Sequence, residues 1–226
     1  MSPISPMRLI PIFLLLGAIT VPAIAQKASD PVVLVEYTHP AQSPTHWTLI
    51  LHPDGSAHFS SEKGNAPVQD VERANLPNLN LDLQLSVHFT DHVFQVARRH
   101  HLFQEKCESG LKVAFTGWKK LSYRGAEGEG SCTFNYGKDK EIEELGGSLT
   151  AAALTILSGA RLELLLQHDR LGLDAELESL AEAAADGNAT QFCAIRKILD
   201  ELVDDPRVME RAKKRARALL AKAEQE

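Results

Sequence analysis

The chain has 226 residues, of which 44% are hydrophobic and 24% charged, as is ordinary for a globular protein with one sizeable core. Its 30 acidic and 24 basic residues give a formal net charge of −6 at pH 7. This acidic balance excludes a general affinity for nucleic acid, because phosphate attraction needs a net or local excess of Lys and Arg.

The first 25 residues have the pattern of a secretory signal peptide. Arg8 precedes an apolar run from Leu9 to Val21, and the small-x-small tripeptide Ala23–Ala25 follows, as signal peptidase requires. The run is short for a bilayer core of about 30 Å. We therefore expect cleavage after Ala25, export to the periplasm or the extracellular medium, and no stable membrane insertion after cleavage. A retained N-terminal anchor is the alternative.

Residues 26–137 are predicted to form an antiparallel β-rich domain. The β-branched and alternating patterns predict its first three strands over 32–37, 45–51 and 57–61. Pro53-Asp54-Gly55 suits a type I turn with a bulge between the second and third strands. That turn pairs Ile50 with His58 and places Leu49 on the same face as Phe59, which keeps the apolar residues together.

The next elements are predicted from alternation and capping. Residues 62–78 suit a surface loop with a short strand near Val68–Ala74. Leu79 to Phe89 alternates apolar and polar residues, which predicts a half-buried strand.

Thr90 then has the character of an N-cap for a helix to about His101 that buries Val93, Val96 and Ala97. The basic end of that helix, Arg98–His101, suits the helix dipole, with an anion contact as the alternative. Three further strands are predicted at 111–115, 120–123 and 131–136.

Three cysteines are present, and an exported protein can form disulfides. Cys107 and Cys132 flank a hairpin-like segment, so we expect them to form the disulfide that ties the preceding helix to the sheet. Cys193 lies in a helical pattern between Phe192 and Ile195. It is expected to be a small buried hydrophobe, with a reactive or intermolecular thiol as the alternative.

Residues 138–226 are predicted to form an antiparallel α-helical subdomain. Ser148 is expected to cap a long apolar helix that ends near His168, with Gly172 as its stop. Three later helices are predicted from their start signals, which are Asp174, the Asn188/Gln191 capping box and Asp205-Pro206. The short connections imply antiparallel neighbours, and the whole chain is therefore expected to be an α+β protein.

Two groups of side chains are candidate sites. His46, His52 and His58 share one sheet face in the predicted register, and grouped imidazoles bind zinc or copper. Since His52 lies at the turn and Ile50 faces His58, a polar sheet face without metal or cofactor is the favoured interpretation. The last helix carries a second group, a possible docking surface for an acidic partner or an anionic membrane, with a solvated helix balanced by acidic neighbours as the favoured alternative. Its residues are Arg207, Arg211, Lys214 and Arg215.

No catalytic motif stands out in the sequence. The expected function is therefore a non-catalytic binding or envelope-assembly module whose partner is an unknown envelope or extracellular protein. Two alternatives stay open. One is a secreted hydrolase of undetected type, and the other is a histidine-mediated metal or pH sensor.

Overall fold

The computed structural model describes residues 30–63 and 76–226, and the signal-peptide prediction and the predicted strand near Val68–Ala74 lie outside them. The described residues form a six-stranded antiparallel sheet and five α-helices, which confirms the α+β prediction. The strands are β1 Val32–Thr38, β2 His46–Leu51, β3 Ser56–Glu62, β4 Leu79–Gln84, β5 Trp118–Gly125 and β6 Gly128–Phe134. The helices are α1 Val87–Arg99, α2 Lys140–His168, α3 Gly172–Ala185, α4 Arg196–Asp204 and α5 Glu210–Ala223.

The sheet has the order β4-β3-β2-β1-β5-β6, and helices cover one of its faces. The alternation of the strands places every second residue on that covered face, so that β1, β2 and β3 bury Val35, Leu49 and Phe59. The opposite face is half-exposed. The side chains of α1 and the first half of α2 complete this core with Val93, Phe94 and other apolar residues.

The hairpin between β2 and β3 is confirmed in its register. Ile50 pairs with His58 and Leu49 with Phe59, and the His52 N–H donates to the Ser56 carbonyl at 3.0 Å. Gly55 has a φ of +84°, the left-handed conformation that this turn requires and that glycine adopts without steric cost.

The predicted strand over Leu79–Phe89 is wrong in its second half. β4 ends at Gln84, and α1 begins at Val87 with Ser86, not Thr90, as its N-cap. The Ser86 hydroxyl accepts the Phe89 N–H at 3.2 Å. Apolar residues continue through the junction because Leu85, just before the helix, and Phe89, in its first turn, are both buried. Within α1, the burial of Val93, Val96 and Ala97 is confirmed.

The predicted strand over Leu111–Phe115 is absent, since residues 111–116 form no regular element and are all exposed. The other two predicted strands are present with shifted bounds, as β5 and β6. The isolated bridge between Glu108 and Gly137 is the point where the chain leaves the sheet edge to form this exposed segment.

The predicted start of the long helix is also wrong. α2 begins at Lys140 with Asp139 as its N-cap, and the Asp139 side chain accepts the Ile142 N–H at 3.0 Å. Ser148 lies inside the helix and donates to the Leu145 carbonyl. Gly146 is required there by close packing rather than by a turn, because a Cβ at this position would lie 2.9 Å from the Phe134 ring.

The starts of the later helices differ from their predicted signals. Gly172 begins α3 instead of stopping α2. Asn188 caps no helix; the chain passes through Gln191 in a left-handed conformation and a 3-10 turn before α4. Asp205 accepts the Arg207 N–H in a local turn, and α5 begins only at Glu210. At Asp205 the side-chain hydrogen bond stabilises a turn and not a helix start, which explains that error.

Helix α2 belongs to both hydrophobic cores of the chain. Its first half packs on the sheet, and Leu162 lies in a second core with α3, α4 and α5. Within the described ranges it is the one helix long and apolar enough to cross a membrane by length and composition. Packing against two cores accounts for that apolarity, since 56% of its most apolar stretch is buried inside the protein.

Candidate binding surface

A cluster of exposed apolar side chains lies where the chain crosses from the disulfide to β5. We call it the apolar strip, and it consists of Leu111, Val113, Phe115, Trp118 and Tyr136. These side chains are 37–63% exposed. The Phe115 ring lies 5.8 Å from that of Trp118 and 5.2 Å from that of His39, so Phe115 and Trp118 are in contact within the strip. Grouped large apolar side chains on a protein surface are typical of interaction sites.

Asn135 fixes the segment that carries the strip. Its side-chain oxygen accepts the Thr116 N–H at 2.8 Å, and its side-chain nitrogen donates to the Ala114 carbonyl at 3.1 Å. The Asn135 N–H in turn donates to the Glu108 carboxylate at 2.7 Å. Asn135 therefore holds the C-terminal half of the exposed segment directly, and it is joined to the start of the segment through Glu108.

Tyr37 and Gly117 anchor the segment from the sheet side. The Tyr37 hydroxyl donates to the Thr116 carbonyl at 2.7 Å. Gly117 has a φ of +110°, and a Cβ there would lie 2.5 Å from the Tyr37 ring, so the chain can pass this ring only as glycine. The strip is thus exposed but held by a buried core residue.

Lys119 lies buried beneath the strip. Its Nζ donates to the Asn135 carbonyl at 3.1 Å and lies 5.5 Å from the centre of the Phe134 ring. Burial lowers the pKa of Lys119, and the charges of Glu143 and Glu108 oppose that effect. The contacts of this lysine identify it as a support of the segment.

The Glu108 carboxylate is held by backbone and hydroxyl donors. It accepts the N–H groups of Asn135 and Gly110 and the Ser109 hydroxyl. Burial raises its pKa, but these hydrogen bonds outweigh burial and leave the pKa below the ordinary value of 4.5. The acidic side chain nearest in sequence to the strip is therefore engaged within the protein.

The predicted disulfide lies next to this segment. Cys107 and Cys132 are bonded, with 5.7 Å between their Cα atoms, as the sequence predicts. The Lys138 N–H donates to the Cys107 carbonyl at 2.7 Å, which joins the start of the segment to the residues that lead into α2.

A charged cluster around His100 lies close to the disulfide. The His100 Nδ1 is 3.1 Å from Glu105 and its Nε2 is 2.9 Å from Glu141. A hydrogen bond from Lys138 lowers the pKa of Glu105, and one from Arg99 lowers the pKa of Glu141. The cations at the end of α1 therefore pair with carboxylates of the protein. This pairing leaves them unavailable for the alternative role of binding an external anion.

The three candidate histidines share the half-exposed sheet face but have separate partners. His46 Nδ1 lies 3.1 Å from the Thr38 hydroxyl, and His58 Nδ1 lies 2.7 Å from Asp82. His52 is at the turn. In residues 30–63 and 76–226, no group of three or more His, Cys, Asp or Glu side chains is arranged to hold a metal ion.

The candidate docking residues near the C-terminus are largely paired. Arg211 and Arg215 both bind the buried Asp174, Arg215 also binds Glu178, and Arg207 binds Asp205. Lys214 is exposed. We call these four basic residues the basic C-terminal face. Most of its charge is balanced by the acidic residues Asp174, Glu178 and Asp205.

Cys193 lies partly buried where the two cores meet. Burial and the nearby Glu226 carboxylate raise the pKa of its thiol to about 11, which keeps it protonated and unreactive. The neighbouring Gln191 accepts the Ser86 N–H at 2.9 Å and so links the helical half to the start of α1.

The sequence does not identify the apolar strip, because its alternating residues predict a strand. Gly110 and Gly117, which flank the segment, do not distinguish the two outcomes, because they also suit the turns at either end of a strand. No protein-family model matches this chain, and no characterised protein matches it in sequence.

Proposed function

We propose that the chain is an exported, non-catalytic binding module that contacts an envelope or extracellular protein through the apolar strip. The observation that carries the proposal is the strip itself. Three of its five exposed apolar side chains, Leu111, Val113 and Phe115, lie on a segment that Asn135, Tyr37 and Gly117 hold in a defined position. Pre-organised apolar groups lose little entropy on binding, which favours a recognition role.

Export is supported by the signal-peptide pattern and by the disulfide, because disulfides persist in oxidising compartments. Export also places the strip outside the cytosol, where envelope and extracellular proteins are its available partners. Sequencing the N-terminus of the protein recovered from the extracytoplasmic fraction should give Gln26.

Photocrosslinking from the strip tests the binding proposal. We would place a benzophenone amino acid at Val113 in the producing cells, and at Lys214 as a matched exposed control on the basic C-terminal face. A discrete protein adduct is expected from position 113 and none from position 214. The purified adduct partner should then bind the wild-type chain and lose most of that binding to L111S/F115S.

The serine variant isolates binding from folding. Both replaced side chains are exposed, so the melting temperature should stay within the range expected for a change below about 0.5 kcal/mol. An adduct only from position 214, or full binding by L111S/F115S, would refute the proposal.

A further inference from the structure

Near the apolar strip, the carboxylates have partners within the protein, but two lysines have none in its described part. Glu108 is held by backbone donors, Glu143 accepts the Gly137 N–H at 2.6 Å, and Glu36 pairs with Lys120 at 2.6 Å. Lys106 and Lys112 are exposed, and neither has a hydrogen-bond or ion-pair partner within the described part of the chain. The uncompensated charges in residues 106–118, the stretch that carries most of the strip, are therefore positive.

The backbone of the strip also has N–H donors without an acceptor in the described part of the chain. The Val113 N–H donates to the Leu111 carbonyl, and Asn135 engages Ala114 and Thr116. The N–H groups of Lys112, Ala114 and Phe115 have no partner among residues 30–63 and 76–226. Water solvates them in the free protein, but a partner that covers the strip must provide acceptors for them.

These two observations together define a partner. We infer that the apolar strip binds an extended protein segment in which apolar residues alternate with Asp or Glu. Its apolar side chains would cover Leu111, Val113 and Phe115, its carboxylates would pair with Lys106 and Lys112, and its backbone carbonyls would accept the free N–H groups. The inference rests on the proposed function and specifies the chemistry of the partner.

A lipid surface fits less well. Anionic headgroups would satisfy the lysines, but hydrocarbon offers no acceptor for the backbone N–H groups that insertion would bury. The formal charge of the whole chain is −6, which also opposes approach to an anionic bilayer.

Two model peptides provide the test. One alternates Val and Glu over about ten residues, and the other alternates Val and Lys over the same length, a span sufficient for strand addition. Binding to the full mature chain would be measured by titration calorimetry. We expect about tenfold tighter binding of the Glu peptide, because two charge pairs at the surface change sign between the peptides.

Charge reversal in the protein supplies the matched comparison. K106E/K112E should lose the preference for the Glu peptide or reverse it. K214E/K222E carries the same change in net charge on exposed lysines of α5 and should keep the preference. Equal affinity of the wild-type chain for both peptides, or loss of the preference in both double variants, would overturn the inference.

Vesicles test whether the strip binds an anionic membrane and not an acidic protein segment. Vesicles with about one third phosphatidylserine should bind the chain no more tightly than zwitterionic vesicles, since the hydrocarbon that would cover the strip has no acceptors for its backbone N–H groups and the negative charge of the chain opposes approach to the anionic surface. Binding to the anionic vesicles without any preference between the peptides would replace the protein partner with a membrane. If position 113 captures a protein partner while the peptides show no preference, the proposed function stands and this inference fails.

Discussion

The apolar strip and the basic C-terminal face differ in how many of their side chains already have partners within the protein. On the basic face, Arg211 and Arg215 converge on the buried Asp174, so the charge is largely consumed within the fold. On the strip, hydrogen bonds from Asn135 fix the backbone at Ala114 and Thr116, while the large apolar residues remain 37–63% exposed. A surface is available for a partner when its position is fixed and its side chains are not already engaged.

The largest expected effect is the loss of stability when the disulfide beside the strip is removed. Replacing both bonded cysteines in C107S/C132S opens a loop with a sequence separation of 25. The chain-entropy model predicts a loss of about 3.5 kcal/mol in the free energy of unfolding. Urea titration of the oxidised proteins measures it, with C193S as the control. Because Cys193 is outside the disulfide, C193S should lose less than about 1 kcal/mol. Equal losses in the two proteins would contradict the structural role of the pair.

The hairpin and the disulfide were predictable from the sequence, because both depend on local chemistry. Pro53-Asp54-Gly55 specifies its turn within three residues, and the register of Leu49 with Phe59 follows from it. The two bonded cysteines are 25 residues apart, with Cys107 before the β5–β6 hairpin and Cys132 within β6, so their pairing needed little tertiary information.

The strip could not be predicted, because its pattern has two structural outcomes. Leu111, Val113 and Phe115 alternate as a strand does, yet the sheet ends at β6 and Asn135 uses side-chain hydrogen bonds where a further strand would use its backbone. The basic face shows the converse. Its arginines are conspicuous in the sequence, but Asp174, which lies 41 residues from Arg215, is brought to them only by the packing of α3 against α5.

The second prediction breaks the charge balance of the basic C-terminal face. D174N removes the carboxylate shared by Arg211 and Arg215 while keeping the size of the side chain. Arg215 is only 21% exposed, so its charge is left partly desolvated, and we expect a loss of about 2 kcal/mol in the free energy of unfolding. The control E178Q removes the other partner of Arg215, a carboxylate that is 53% exposed, and should have a smaller effect. Equal losses in both variants, measured by urea titration, would show that Asp174 does not neutralise this face.

The third prediction concerns the support of the strip by Glu108 and has the smallest expected effect. The folded-state pKa of Glu108 lies below 4.5, so its carboxylate stabilises the fold above that pH, and the contribution is lost as pH falls through the lowered pKa. E108Q lacks this contribution at every pH. Its melting temperature should therefore be below that of the wild type at pH 7, and the difference should shrink below about pH 4.5.

The control for this experiment is E163Q, which removes an exposed carboxylate on α2. The pH dependence of its melting temperature should parallel that of the wild type, because the described contacts of α2 do not use the Glu163 side chain. A difference between wild type and E108Q that stays constant from pH 7 to pH 3 would assign the effect of Glu108 to packing. In that case the ionised carboxylate would not hold Asn135, and the rigid placement of the strip would depend on Tyr37 and Gly117 instead.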